Sequence, residues 1–397
     1  MTTRDNPEHL LIYEPRTEGH HLSWLRFITE DLLSAGLRLT LAVDQRPQSE
    51  SKIRDHLGEL QSEVRLISSR RGSKTWWKAK AGGVAECLRE SGAASVFLCA
   101  FDEIASDCWR RAAFGIYPPK ILQGRMGGIY HRGRFLSAPK WSPKRLHKQM
   151  GFQKIVRQGW LKQLLFLDEY LTADLQSQFP GAPIHYLPMP CPEGLSGGNP
   201  EAARRQLDLP VGKRIFLFYG TGARRKGLHL AVQAMRELSH ETPAFLLCAG
   251  QLNPEGETAS KLDELVRQNR AKLINKYVTA EEEKLCFTAS NVVLLPYLHH
   301  FGGSAVLSQA AAAGRMVIAS DEELTGKLTR HHGLGLLFLT GDAAALRERM
   351  REAALLNAAK LAVFSEAAAK YAKTCSREAY RQALIKAVVS PKTPQHA

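Results

Sequence analysis

What the chain lacks narrows it quickly. Its seven cysteines (87, 99, 108, 191, 248, 286 and 375) are scattered, with no Cys-x-x-Cys. That argues against a disulfide framework or a zinc site and fits reduced thiols in a cytosol. No apolar run approaches the roughly eighteen residues of a membrane-spanning helix. The opening MTTRDNPEHL lacks the basic-then-apolar pattern of a secretion signal, so a cytoplasmic protein is expected. No repeat of about 20–50 residues is visible, which excludes a solenoid.

The sharpest absence is of one charge sign. From Cys108 to Leu167 there is no Asp or Glu, while the same stretch holds thirteen Lys and Arg. The net charge is +15, so the remaining 337 residues carry only about +2. Arg125, Arg132, Arg134, Lys144 and Arg145 lie in this segment. All six tryptophans fall at or before Trp160, and Trp76 and Trp77 sit in a second basic run, 70–80. The basic, aromatic-rich surface therefore belongs to the N-terminal half.

What is present is an alternation of strands and helices. At 397 residues the chain is too long for one ordinary core, so two domains are expected. Strands are read at 10–13, 37–43, 64–67, 95–99, 163–167 and 184–187, with helices at 22–34 and 84–90. Four prolines and three glycines in LPMPCPEGLSGGNP mark a break. The alternation then restarts: strands at 214–219, 244–249, 292–296 and 316–319, and helices at 201–207, 228–238, 261–270, 279–290 and 305–313. Ala-rich helices follow over 343–369, a last helix over 377–389, and the tail PKTPQHA is expected to be disordered. This pattern predicts an α/β protein of two Rossmann-like domains with parallel sheets facing across a cleft, ligands lying at the strands' carboxyl ends. The boundaries are 1–188, a linker at 189–200, 201–375, and a terminal helix and tail at 376–397 that could pack back on the first domain.

Two loops in the second half carry anion chemistry. Gly220, Thr221, Gly222, Arg224, Arg225 and Lys226 follow the strand 214–219. Glycines allow close backbone approach, and three adjacent cations suit a diphosphate. Later, Gly302 and Gly303 precede Ser304, which can cap the helix 305–313, and Gly314 stands where a helix-ending glycine belongs. Bare N–H groups at a helix start form a ready anion site. In the N-terminal half, Glu14, Glu18, Gly19 and His20 close the first strand. His20, Glu18 or Glu14 is a candidate base or acceptor-orienting group. Asp102 and Glu103 are weaker candidates. The pairs His299–His300 and His331–His332 lack a third ligand at metal spacing and are read as structural or solvated.

These residues resemble a known family. The Arg225-Lys226-Gly227 loop, the strand ending at Gly250, the segment 289–296, the block 309–320 and the closing Gly333–Asp342 stretch resemble, in order, the donor domain of GT-B glycosyltransferases of the family 4 (group 1) type. The resemblance spans roughly 213–350 and implies a transferase with a nucleotide-sugar, UDP- or GDP-linked, on the C-terminal domain. Arg225 and Lys226 would grip the diphosphate and Gly303–Ser304 would contact phosphate or sugar. It implies no metal and no cofactor beyond the donor substrate. The N-terminal domain would bind a glycan or lipid-linked acceptor in envelope or exopolysaccharide synthesis. One departure stands out: where the family carries Glu-x7-Glu, this chain has Phe301 and Gln309. For the basic segments, an anionic membrane surface or lipid-linked acceptor is preferred to a merely solvated face, and nucleic acid comes last. A nonhydrolysing nucleotide-sugar epimerase and a non-catalytic GT-B binding protein are the alternatives.

Overall fold

The computed structural model describes residues 7–18, 21–70, 80–137, 142–191 and 193–389. The tail PKTPQHA lies outside them. Two compact units emerge: one to Leu187, joined by the helix residues from Arg381 on, and one over Pro188–Tyr380. No helix among the described residues is long and apolar enough to cross a membrane.

The first unit is built on seven strands: β1 His9–Glu14, β2 Arg38–Val43, β3 Arg65–Ser68, β4 Ser95–Leu98, β5 Met126–Tyr130, β6 Leu161–Phe166 and β7 Ile184–Tyr186. Their order is β3-β2-β1-β4-β5-β6-β7, all parallel. Runs such as LLIY in β1 and LTLAV in β2 are almost wholly buried, as strands covered on both faces must be. The order turns at β1/β4, where one crossover goes left and the next right.

The second unit has six strands: β8 Arg214–Tyr219, β9 Ala244–Ala249, β10 Ala271–Ile274, β11 Val292–Leu295, β12 Met316–Ser320 and β13 Gly335–Phe338. Their order is β10-β9-β8-β11-β12-β13, again parallel. Its turning point is β8/β11. In open parallel sheets the ligand crevice opens at the carboxyl ends beside such a point. The chain emerging from β8 and from β11 is therefore placed to share one site.

Two stretches differ from the sequence reading. The acid-free segment, where the sequence suggested only the strand at 163–167, carries the second half of the helix Asp102–Ala113, then β5, the helix Pro143–Arg157 and β6. In β5 the glycines of MGGIY break the apolar pattern. The helix read at 261–270 runs instead over Gly256–Arg267, and β10 follows at once. Arg270 makes that turn: its buried guanidinium donates to the carbonyls of Met235 and Leu238 at 2.9 and 2.6 Å.

Candidate functional site

Residues 224–226 form one 3-10 turn at the end of the loop leaving β8, closed by Gly227 in the left-handed region (φ 77°). A Cβ on Gly227 would overlap the carbonyl oxygen of Pro296, at the end of β11. The glycine thus lets the two loops touch. The carbonyl of Arg225 accepts the N–H of Leu298 at 2.8 Å. Arg225 Nη1 donates to His300 Nδ1 at 2.7 Å. Lys226 Nζ stands 4.0 Å from the centre of the Tyr297 ring. Tyr297 Oη is hydrogen-bonded to Ser304 Oγ at 3.2 Å. Ser304, 4% exposed, caps the helix Ala305–Ala312 by accepting the N–H of Leu307 at 3.2 Å. The two glycine loops that look separate in the sequence are one surface.

Among the described residues no carboxylate forms an ion pair with Arg224, Arg225 or Lys226, so the surface is cationic. Burial, reinforced by the charges of Lys226 and then Arg225, pushes the His300 pKa down to about 4. The imidazole is neutral at pH 7. A guanidinium can only donate, so Nδ1 must be the acceptor and the proton sits on Nε2. That Nε2–H is buried and makes no well-aligned hydrogen bond, with the Gly303 backbone beside the ring. An unmet buried donor beside two cations suits an anionic or hydroxyl-bearing ligand. His300, read from sequence as structural or solvated, is therefore part of the site. No sequence signal marks it, because its role depends on the neighbour at position 225.

The Glu-x7-Glu departure also looks different in three dimensions. Gln309 Nε2 donates to Glu283 Oε2 at 2.9 Å, and Tyr219 Oη donates to the same oxygen at 2.6 Å. Burial, and then Glu283, hold the Tyr219 phenol protonated, its pKa well above the usual value. A carboxylate thus stands next to the position of the missing one, supplied by the helix Ala280–Ala289. Glu283 lies in the first turn of that helix. Gln309 Oε1 is buried without a partner. Thr221 and Arg224 are exposed, and Gly220, Gly222, Gly302 and Gly303 are half-buried.

At the turning point of the first sheet, Glu14 is 1% exposed and bound to His21 Nδ1 at 3.1 Å and to the N–H of Arg16 at 3.0 Å. It anchors its loop. Glu18 is exposed. Gly19, His20, Trp76 and Trp77 lie outside the described residues, as does the side chain of Arg134. Asp102, at the start of the helix after β4, accepts the N–H groups of His131 and Arg132 at 2.9 and 3.0 Å and contacts His131 Nδ1 at 3.1 Å. Arg16 pairs with Glu103. His131, at the end of β5, was not singled out in the sequence.

Several cations of the basic segment serve the fold. Arg125, expected on an acceptor or membrane face, donates instead to the carbonyls of Ala94 and Ala93 at 2.6 and 2.7 Å. Lys154 donates to the carbonyl of Ala113 at 2.8 Å, and Lys162 pairs with Glu8. Arg132 and Lys144 are exposed, and Arg145 is half-buried. Among the described residues no three His, Cys, Asp or Glu are grouped as a metal site would need.

Residues 199–371 match the sequence model of the family described as Glycosyl transferases group 1. That segment is a group 1 glycosyltransferase domain, set in a chain of GT-B fold. The transferase resembles a glycosyltransferase from Rickettsia africae, with TM-score 0.70 and 14% identity over 97% of this chain and 100% of that one. It resembles Anabaena HepE in complex with UDP, with TM-score 0.68 and 14% identity over 97% and 100%. Sucrose-phosphate synthase from Thermosynechococcus elongatus follows, with TM-score 0.66 and 18% identity over 94% and 96%. At these identities the likeness speaks for the fold. No curated protein matches the chain.

Proposed function

We propose that this transferase moves a sugar from a UDP- or GDP-linked donor to a glycan or lipid-linked acceptor, in cell-envelope or exopolysaccharide synthesis. The observation that carries the reading is the closure of the two loops at β8/β11, which gathers Arg225, Lys226, the Nε2–H of His300 and the helix start at Ser304 into one cationic surface. As the glycosidic bond breaks, negative charge grows on the departing diphosphate. Fixed cations and N–H donors stabilise that charge more than the ground state. They would do so without a metal ion. HepE, of the same fold, is known in complexes with UDP and with UDP-glucose, which supports a uridine donor first.

The second domain, 201–375, would hold the donor, and the first, 1–188, the acceptor, with 189–200 as the linker. Glu14, Glu18 and His20 remain the proposed base or acceptor-orienting groups, and the Asp102–His131 contact at the same sheet edge is added to them. The exposed cations Arg132 and Lys144, together with Phe114 (75% exposed), support a peripheral seat on an anionic inner membrane face. Thermal shift across nucleotides and nucleotide-sugars tests the donor assignment. UDP or GDP should raise the melting temperature of the wild type and leave Lys226→Ala unmoved. Indifference of the wild type to every nucleotide would refute it.

A further inference from the structure

Behind the helix that Ser304 caps, two cysteines meet. Cys191 lies in the irregular segment after Leu187, and Cys375 follows the helix Ala358–Thr374. They are 184 positions apart, yet their Sγ atoms are 3.0 Å apart. The N–H of Cys191 donates to the carbonyl of Cys375 at 2.6 Å. Standard bond lengths then keep the two Cα atoms within about 6.5 Å, inside the span of about 4.4–6.8 Å that a disulfide bridges. The thiol of Cys191 also donates to the carbonyl of Ser308 at 3.2 Å. Both residues are buried but reduced. The chain enters the second unit after Leu187 and leaves it after Tyr380, so the pair sits just inside both crossings.

We propose that Cys191 and Cys375 form an oxidisable dithiol that a hydroperoxide converts to a disulfide, tying together the two points where the chain enters and leaves the donor domain. The contact between the two sulfurs lowers the pKa of Cys375, whose thiol otherwise donates to the carbonyl of Tyr371 at 3.4 Å, while the same contact and burial raise that of Cys191. Cys375 is the attacking sulfur. Its thiolate bonds to one peroxide oxygen, the O–O bond breaks, and the departing hydroxide takes up a proton to become water. Cys375 is now a sulfenic acid. The Cys191 sulfur, losing its proton, attacks the Cys375 sulfur; the S–S bond forms, the S–O bond breaks and a second water leaves. Two thiols and one hydrogen peroxide give one disulfide and two waters. Cys375 is 1% exposed and Cys191 6%, so a small hydroperoxide reaches the pair only when the chain opens locally beside the exposed Glu193 and Gly194.

The test treats the full chain with hydrogen peroxide, quenches with iodoacetamide in denaturant, and digests with trypsin without reduction. The expected result is a peptide joining residues 163–204 to 374–377, with five of the seven thiols still alkylated. Dithiothreitol should restore all seven. Cys375→Ser should keep its remaining six, whereas Cys191→Ser should form no cross-link and lose only Cys375, as its sulfenic acid. The proposal fails if the wild type keeps all seven thiols. It also fails if Cys375 goes to sulfinic acid without a cross-link, or if the lost thiols belong to other peptides.

Discussion

Arg225 Nη1 donates to Nδ1 of His300 at 2.7 Å, which leaves the imidazole proton on a buried Nε2 that makes no well-aligned hydrogen bond. The same burial gives the contact a pH signature. A histidine whose pKa falls from 6.5 to about 4 on folding is neutral in both states above pH 6.5 and adds nothing there. Between pH 6.5 and about 4 the unfolded chain takes up the proton and the folded chain does not. Stability is then lost as pH falls through that window, by up to about 3 kcal/mol. His300→Asn should flatten that part of the curve. Urea midpoints of both proteins from pH 4 to 7 check it, and the difference between them removes the contributions of the other histidines.

Lys226 sits over the Tyr297 ring and, among the described residues, forms no ion pair with a carboxylate. If it holds the donor's diphosphate, Lys226→Ala removes a charge-assisted contact of about 1.5–3 kcal/mol. UDP should bind roughly 10- to 100-fold more weakly by calorimetry. Uridine, which has no phosphates, should bind equally to both proteins. An equal loss for uridine and UDP would show that the substitution disturbs the pocket instead of removing a phosphate contact.

Gly227 couples the two loops, since any Cβ there meets the Pro296 carbonyl and the φ of 77° disfavours a side chain. Gly227→Ala should cost at least about 2 kcal/mol of stability. It should also weaken nucleotide binding by separating Arg225 from His300. The equivalent change at Gly212, also at positive φ but with open space around it, should lower stability without touching binding. Chemical denaturation and calorimetry on both variants separate the two effects.

Ser304 separates capping from ligand charge. Aspartate caps a helix about as well as serine, so Ser304→Asp should keep most of the wild-type stability. Its carboxylate would repel a diphosphate at the same spot. Nucleotide binding should fall below detection in Ser304→Asp, whereas Ser304→Ala should lose about 1 kcal/mol of stability and keep measurable binding. Undiminished UDP affinity in Ser304→Asp would place the phosphates elsewhere.

The parts legible in the sequence are those where burial is complete. β8 and β9 are continuous apolar runs covered on both faces, and the sequence places their ends correctly. Edge strands are harder: β10 and β13 are largely half-buried, and their residues look like loop. At the site, residue type revealed the cations of 224–226 and the cap at Ser304. It could not reveal that Gly227 brings β11's loop to them, nor that Glu283 reaches Gln309 across 26 positions. The acid-free segment shows the same limit. Its charge was plain, but the partners of Arg125 and Lys154 are backbone carbonyls, which no side-chain sequence displays.

What is left of that charge makes the last prediction. On the helix Pro143–Arg157, Leu146 and Met150 are 43% and 45% exposed, and Phe114 packs its ring against His147 at 4.5 Å. Lys144 and Arg157 lie exposed on that helix, with Arg110 nearby on the helix Asp102–Ala113. Apolar side chains ringed by cations suit an anionic bilayer surface, each cation near it contributing about 1 kcal/mol. The chain should sediment with vesicles of phosphatidylcholine and phosphatidylglycerol, and stay in solution with phosphatidylcholine alone. Binding should weaken steeply in about 0.5 M salt as the charges are screened. Lys144→Glu combined with Phe114→Ser should abolish it without changing UDP affinity, because neither residue belongs to the donor domain. Equal recovery with neutral and anionic vesicles would remove the membrane from the proposal and leave these cations as a solvated face.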